Sequence, residues 1–260
     1  MNTTLDFDEQ TARHVEAVYR TPDVITQRNA IRKTLAPRAG ERVLDIGSGP
    51  GFLATEIATD VGPEGIVHGV DISQSMITIA RRRKPAAQSA PLQFQLAEAR
   101  TLPFPDASFD AAVSTQVFEY IDDVPAALAE THRVLAPRGR LLLLDTDWDS
   151  IVWHSRAPQR MRRVLAAWDA HAAHPHLPRT LPGLIRDAGF TLTGTTVMPL
   201  FNGRYDPDTY SAGVIPIIAA FVTGRDGITA DQATSWAQEL TELDDRYFFS
   251  LNRYVFLATT

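Results

Sequence analysis

Glu41-Arg42-Val43-Leu44-Asp45-Ile46-Gly47-Ser48-Gly49-Pro50-Gly51-Phe52-Leu53-Ala54 begins as a short apolar strand, passes through three alternating glycines and continues with helical spacing. The backbone must therefore turn sharply where the strand ends. With no Cβ at Gly47, Gly49 and Gly51, a ligand can lie against the main chain itself, and the N–H groups that open the following helix are expected to point towards it. A nucleotide or nucleoside suits such a turn. The dinucleotide fingerprint is excluded because Phe52 stands where its third glycine belongs, and a phosphate loop is excluded because no Gly-Lys-Ser/Thr ending follows.

A second strand, Gly65-Ile66-Val67-His68-Gly69-Val70-Asp71, closes on an acid roughly twenty residues beyond the glycines, the spacing at which a carboxylate meets ribose hydroxyls. The acid before the turn and the G-x-G-x-G spacing of Asp45, Gly47, Gly49 and Gly51 resemble the first motif of class I S-adenosylmethionine-dependent methyltransferases. Within them the chain resembles the small-molecule group that includes the quinone methyltransferases (type 11). The resemblance implies a cofactor site in which Ser48 belongs to the turn, Asp71 binds the ribose hydroxyls, and Ile72 flanks the adenine with Met76 nearby. The stretch Ala97 to Asp110 resembles the segment in which an acid-alanine pair reads the adenine, here Glu98 and Ala99, with glutamate where aspartate is usual. Thr115 and Gln116 stand at the carboxyl end of a strand, the edge at which open α/β sheets bind ligands.

Strands alternate with helices from Val43 to Leu144, which predicts a parallel sheet wound on both faces. The expected fold is a Rossmann-like, seven-stranded α/β sheet in a single methyltransferase domain over 1–260. It divides into a helical leader (1–40), a cofactor-binding core (41–147), cap insertions (148–178 and 202–243) and a final strand (244–260). In the resembling family such a leader often closes over the cofactor, so Tyr19, Gln27 and Arg28 could reach its methionine end, Arg28 as a cofactor residue and Tyr19 as an acceptor residue; the alternative is that Tyr19 packs and Arg28 is solvated. The alternation also predicts strands at Arg140–Leu144, Phe190–Met198 and Tyr247–Leu257, with a helix over Thr180–Ala188.

The insertions hold aromatic residues, among them Trp148, Trp153, Trp168 and Tyr210, which suit the wall of an acceptor pocket and equally a homodimer interface. A base is optional in methyl transfer, and His154 is the first candidate, with Asp147 second. His171, His174 and His176 include an i, i+3 pair, but Pro175 follows and no carboxylate partner is evident, so a solvated helix end is expected and no metal.

Composition narrows the partners. At 260 residues with 44% hydrophobic and 22% charged residues, the chain is long enough for a large core plus a cap. Its formal net charge of −6 argues against a nucleic-acid groove, and Arg81-Arg82-Arg83-Lys84 reads as a helix terminus. No cysteine is present, which removes disulfides, thiolate metal sites and the thiol chemistry of the family's arsenic-methylating branch. The acidic N-terminus lacks the regions of a signal peptide, and the longest apolar runs are too short to span a bilayer. A cytoplasmic enzyme acting on a small-molecule acceptor is expected, as monomer or homodimer. Transfer to nitrogen, oxygen or sulfur is the leading reading, with carbon methylation of a quinone-like acceptor or a non-catalytic cofactor-binding regulator as alternatives.

Overall fold

Strands that are apolar on both faces need cover on both faces, and that need sets the architecture. In the computed structural model, which describes residues 8–260, β1 (Arg42–Ile46), β2 (Ile66–Asp71), β3 (Leu92–Leu96), β4 (Phe109–Thr115) and β5 (Leu135–Thr146) run parallel in the order β3-β2-β1-β4-β5. The opening stretch Met1–Phe7, on which the targeting argument partly rests, lies outside the described residues. Period-two alternation sorts the side chains. Val43, Leu142 and Leu144 face the layer of α2 (Pro22–Leu35) and α3 (Phe52–Val61), while Leu44, Leu141 and Leu143 face α5 (Val124–Val134) and α7 (Leu181–Asp187).

Three further strands complete the sheet: β6 (Val152–Trp153), β7 (Thr191–Asn202) and β8 (Phe249–Thr259). β8 lies antiparallel to β5 on one edge and to β7 on the other. Since β7 and the two-residue β6 both pair with Phe249 and Ser250, β6 occupies the edge that β5 holds further along. The sheet is thus seven long strands and one short eighth segment, which comes from the insertion after β5. β5 starts earlier than the expected Arg140 because Leu135 pairs with Phe109, the change of direction being taken up at Arg138 with φ of 65°. β7 runs four residues beyond the expected Met198, held by β8 as far as Asn202.

The remaining helices build a second core beside the sheet. α6 (Pro158–Trp168), α8 (Tyr210–Val222) and α9 (Ala230–Thr241) bury Met161, Val164, Ile215, Ile218, Trp236 and Leu240 together with Trp153 and Phe249 from the sheet edge. α9 starts on a capping box in which Thr229 and Gln232 satisfy each other's backbone N–H. The leader supplies α1 (Glu9–Val18), whose Ala12 and Val15 pack on Met76 and Ile79 of α4 (Gln74–Ala80) while α1 also touches α8. α2 is tied to α3 by Arg28–Glu56 at 3.0 Å and Arg32–Asp60. Among the described residues no helix is long and apolar enough to cross a membrane.

Trp236 is fully buried, edge-on to Trp153 at 5.7 Å, with its indole N–H 3.3 Å from the Met161 sulfur. Trp236→Ala is expected to cost about 3–5 kcal/mol in urea unfolding.

Candidate functional site

The glycine turn is braced from the next strand. Asp71, at the end of β2, accepts the Gly49 N–H through Oδ2 at 2.8 Å and the Ser73 N–H through Oδ1 at 2.8 Å. Ser48 N–H donates to the Val70 carbonyl, Gly51 N–H to the Ser48 carbonyl, and Ala54 N–H to the Asp45 carboxyl. The amides of Ser48, Gly49, Gly51 and Ala54 are thus spent internally, which corrects in part the expectation that the amides here face a ligand. Two glycines there do different work. A Cβ on Gly47, where φ is +68°, would stand 2.2 Å from a Val117 methyl, whereas one on Gly49, where φ is +51°, would meet nothing nearer than Tyr19 at 4.0 Å. Gly47 is demanded by packing, and the space before Gly49 is open to a ligand. Gly51 is a correction: it faces Phe94 and Ala80 and caps α3, away from any ligand.

In front of the turn lies a cleft of about 250 Å³. Gly47, Gly49 and Asp71 form one wall, Ile72 and Met76 another, and Glu98 and Ala99 a third. Ile72 is 73% exposed, a flat apolar surface of the kind a base or similar ring covers. A carboxylate offers about four acceptor sites, so Asp71 keeps a lone pair for a hydroxyl donor beside the backbone N–H groups it accepts. Glu98 is ion-paired with Arg100, so its carboxylate is held at the rim. Thr115 and Gln116 close the far end, and Gln116 adopts φ of 58°, a conformation disfavoured for a residue with a side chain and stored here where the strand meets the cleft.

A narrow recess runs on from the cleft between Asp45, Ser48, Arg28 and Gln27. Asp45 Oδ2 and Ser48 Oγ are buried there without a hydrogen-bond partner. Burial, reinforced by the nearby Asp71 charge, pushes the Asp45 carboxyl up to about 7. An orphan acceptor of this kind fits an ammonium donor.

The comparisons with known proteins agree with this geometry. Residues 44–143 match the model of a methyltransferase domain. That stretch is a class I S-adenosylmethionine-dependent methyltransferase domain. It is 34% identical to an uncharacterized 37.1 kDa protein in transposon TN4556 of Streptomyces fradiae over 193 residues, 72% of this chain and 53% of that one. It is 39% identical to a demethylmenaquinone methyltransferase of Symbiobacterium thermophilum over 109 residues, 42% and 43% of the two chains. The chain thus spans about half the length of these curated relatives. A phosphoethanolamine N-methyltransferase of Haemonchus contortus superposes with a TM-score of 0.63 at 20% identity, covering 98% of this chain and 58% of that one, a likeness of fold. The methyltransferase cofactor, S-adenosylmethionine, fits the residues present: Asp71 for the ribose hydroxyls, Ile72 for the adenine face, and Asp45 with Arg28 and Ser48 for the charged methionyl end.

A second, smaller chamber of about 70 Å³ opens beside this methyltransferase cleft. Trp148 and Tyr210, two of the residues named for an acceptor, line it, and Tyr19 borders cleft, recess and chamber alike. Other expectations are corrected. Trp153 is a core residue, its indole N–H donating to the Tyr247 hydroxyl at 2.8 Å. His154 is exposed, continuing the short β6 edge by donating its N–H to the Phe248 carbonyl, and lines neither cleft nor chamber. Asp147 spends both oxygens on Arg179, at 2.9 and 3.0 Å, outside the chamber wall. The same Arg179 holds Asp149 at 2.6 Å, so the place where Asp147, Asp149 and His176 converge already contains a cation. His171 is not a solvated helix end: it is buried, stacked on Trp168 at 3.8 Å, and burial pushes its imidazole down to about 3.

Trp168, named among the insertion aromatics, lines the chamber too; not anticipated are Tyr120 on the same wall and a buried polar group behind it. Glu119 accepts the Thr146 N–H at 3.0 Å, and Asp145 accepts the N–H groups of Val117 and Glu119. Burial raises both carboxyls, Glu119 to about 7 and Asp145 well above its ordinary value. A carboxyl raised on folding binds its proton more tightly in the native state. Its contribution is fully present below the ordinary carboxylate range and is lost as pH climbs through about 7. The urea midpoint is therefore expected to fall between about pH 5 and about pH 8, and Glu119→Gln to flatten that decline.

Proposed function

We propose that the chain transfers the methyl group of S-adenosylmethionine to a nitrogen, oxygen or sulfur atom of a small, planar molecule held in the aromatic chamber. The observation that carries this reading is that Val15, Tyr19, Gln116 and Tyr120 line both cleft and chamber, so the two ligands would share one wall. S-adenosylmethionine supplies an electrophilic methyl on a sulfonium. The acceptor's lone pair forms the new bond to that carbon as the carbon–sulfur bond breaks and its electron pair stays on sulfur.

The chain's own part is to place the acceptor and exclude water. Tyr19, Trp148, Trp168 and Tyr210 supply apolar ring surface for a flat molecule, and the segments 148–178 and 202–243 act as the cap that selects it. Carbon methylation of a quinone-like acceptor is the second reading, favoured by the likeness to the demethylmenaquinone methyltransferase.

Calorimetric titration with S-adenosylmethionine and S-adenosylhomocysteine tests the first step, binding of both being expected and of nicotinamide dinucleotides not. Asp71→Ala removes a carboxylate that would accept ribose hydroxyls, a loss on the order of 1.5–3 kcal/mol, or roughly ten-fold or more in Kd. An unchanged Kd in a folded variant would remove Asp71 from the site. Incubation with methyl-labelled cofactor and metabolite extracts then identifies the acceptor by the label it gains.

A further inference from the structure

Along β8, Phe249, Leu251, Arg253 and Val255 are buried in alternation with half-exposed Ser250, Asn252 and Tyr254, so a single arginine takes a place that the pattern reserves for apolar side chains. Arg253 is fully buried. One nitrogen donates to the side-chain carbonyl of Gln27, while Nε and Nη2 have no partner and the guanidinium makes no ion pair among the described residues. Its contacts are the neutral Gln27 amide and the Tyr210 side chain, and the Glu119 carboxyl acts on it only from beyond ion-pair distance; a desolvated cation so placed is costly, and a ligand anion in contact with it would offset that cost.

Its neighbours say where that ligand would sit. The guanidinium carbon lies 4.3 Å from the Tyr210 ring centroid, and Tyr210 lines the acceptor chamber. Gln27 lines the recess assigned above to the methionyl end, so Arg253, itself in the wall of neither space, touches one residue of each. Its positive field acts on Tyr19 and Tyr210, both on the chamber wall. The recess has a cation of its own in Arg28, which is paired with Glu56. The chamber instead offers rings and the buried Trp168 indole N–H, a donor with no acceptor.

We propose that Arg253 is the counter-charge for an anionic aromatic acceptor, a carboxylate or phenolate whose ring lies in the chamber. This rests on the methyltransferase reading and narrows it to a substrate class. An acceptor bound as its anion brings its lone pair without a proton to remove, which accounts for a chamber whose wall includes neither of the bases expected from the sequence.

The shared chemistry, an anion beside Arg253, has two sources, the acceptor or the cofactor's own carboxylate, and the experiment separates them. The full chain is first titrated with S-adenosylhomocysteine; absence of binding defeats the methyltransferase reading itself. The saturated complex is then titrated with 2-hydroxybenzoate and with its uncharged counterpart of similar shape, 2-hydroxybenzamide. The expected result is about a ten-fold or greater preference for the acid. Arg253→Met should abolish that preference while S-adenosylhomocysteine affinity stays within about two-fold, and Arg253→Lys should retain part of it. Equal binding of the two probes, or binding of neither, by the wild-type chain overturns the proposal without recourse to any variant. So does a preference that survives Arg253→Met, and a loss of S-adenosylhomocysteine affinity in that variant with the preference intact assigns the charge to the cofactor.

Discussion

The carboxylate of Asp71 holds the end of one strand against the turn that ends its neighbour. By taking the Gly49 N–H at 2.8 Å it fixes the height of the glycine turn relative to β2, and by taking the Ser73 N–H it starts the passage into α4. The cleft floor, the exposed face of Ile72 and the opening of the recess all take their positions from these two contacts. Burial raises the carboxyl of Asp71 while the same backbone donors pull it back down, so the group is held in place by the dipoles that it organises. A turn that spends the Ser48, Gly49 and Gly51 amides internally has fewer left for a phosphate, and the chemistry that it favours is that of a nucleoside carrying its charge elsewhere.

The second concentration of polar groups lies where β4, β5 and β8 end together. Asp145, Glu119 and Arg253 are buried there, yet no ion pair joins the arginine to either acid. Packing alone would favour apolar residues at these positions. The strands instead bring charge to the edge of the sheet beside the aromatic chamber, where the burial of all three side chains keeps water from them. The cap core of Trp153, Trp168 and Trp236 thus has an electrostatic as well as a steric effect, since a drier chamber strengthens every charge at its wall.

Much of the cofactor half was legible because its signals are local. The glycine spacing, Asp45, Asp71, and the pairing of Glu98 with Ala99 each lie within a few residues of a strand end, and topology brings strand ends to one edge. The distribution of duties inside the turn was not legible: nothing in Gly47, Gly49 and Gly51 distinguishes a glycine that clears Val117, one that leaves room and one that caps α3. The acceptor half depended on contacts far apart in sequence. His154 reads as an available base until β6 pairs with β8 and leaves it outside, and Asp147 reads as free until Arg179, thirty-two positions on, takes its carboxylate. Arg253 did leave a trace in the alternation of β8, where an arginine falls in register with Leu251 and Val255, but the aromatic richness of that strand drew attention to packing.

The leader helix α1 is ten residues long and touches both α4 and α8. Val15 on it and Tyr19 at its end are walls of the cleft and of the chamber at once. The two ligand spaces therefore have a common door. On the proposed reading, a displacement of α1 that admitted an acceptor would also uncover part of the cofactor space, so the loading of one ligand and the release of the other would be coupled by geometry.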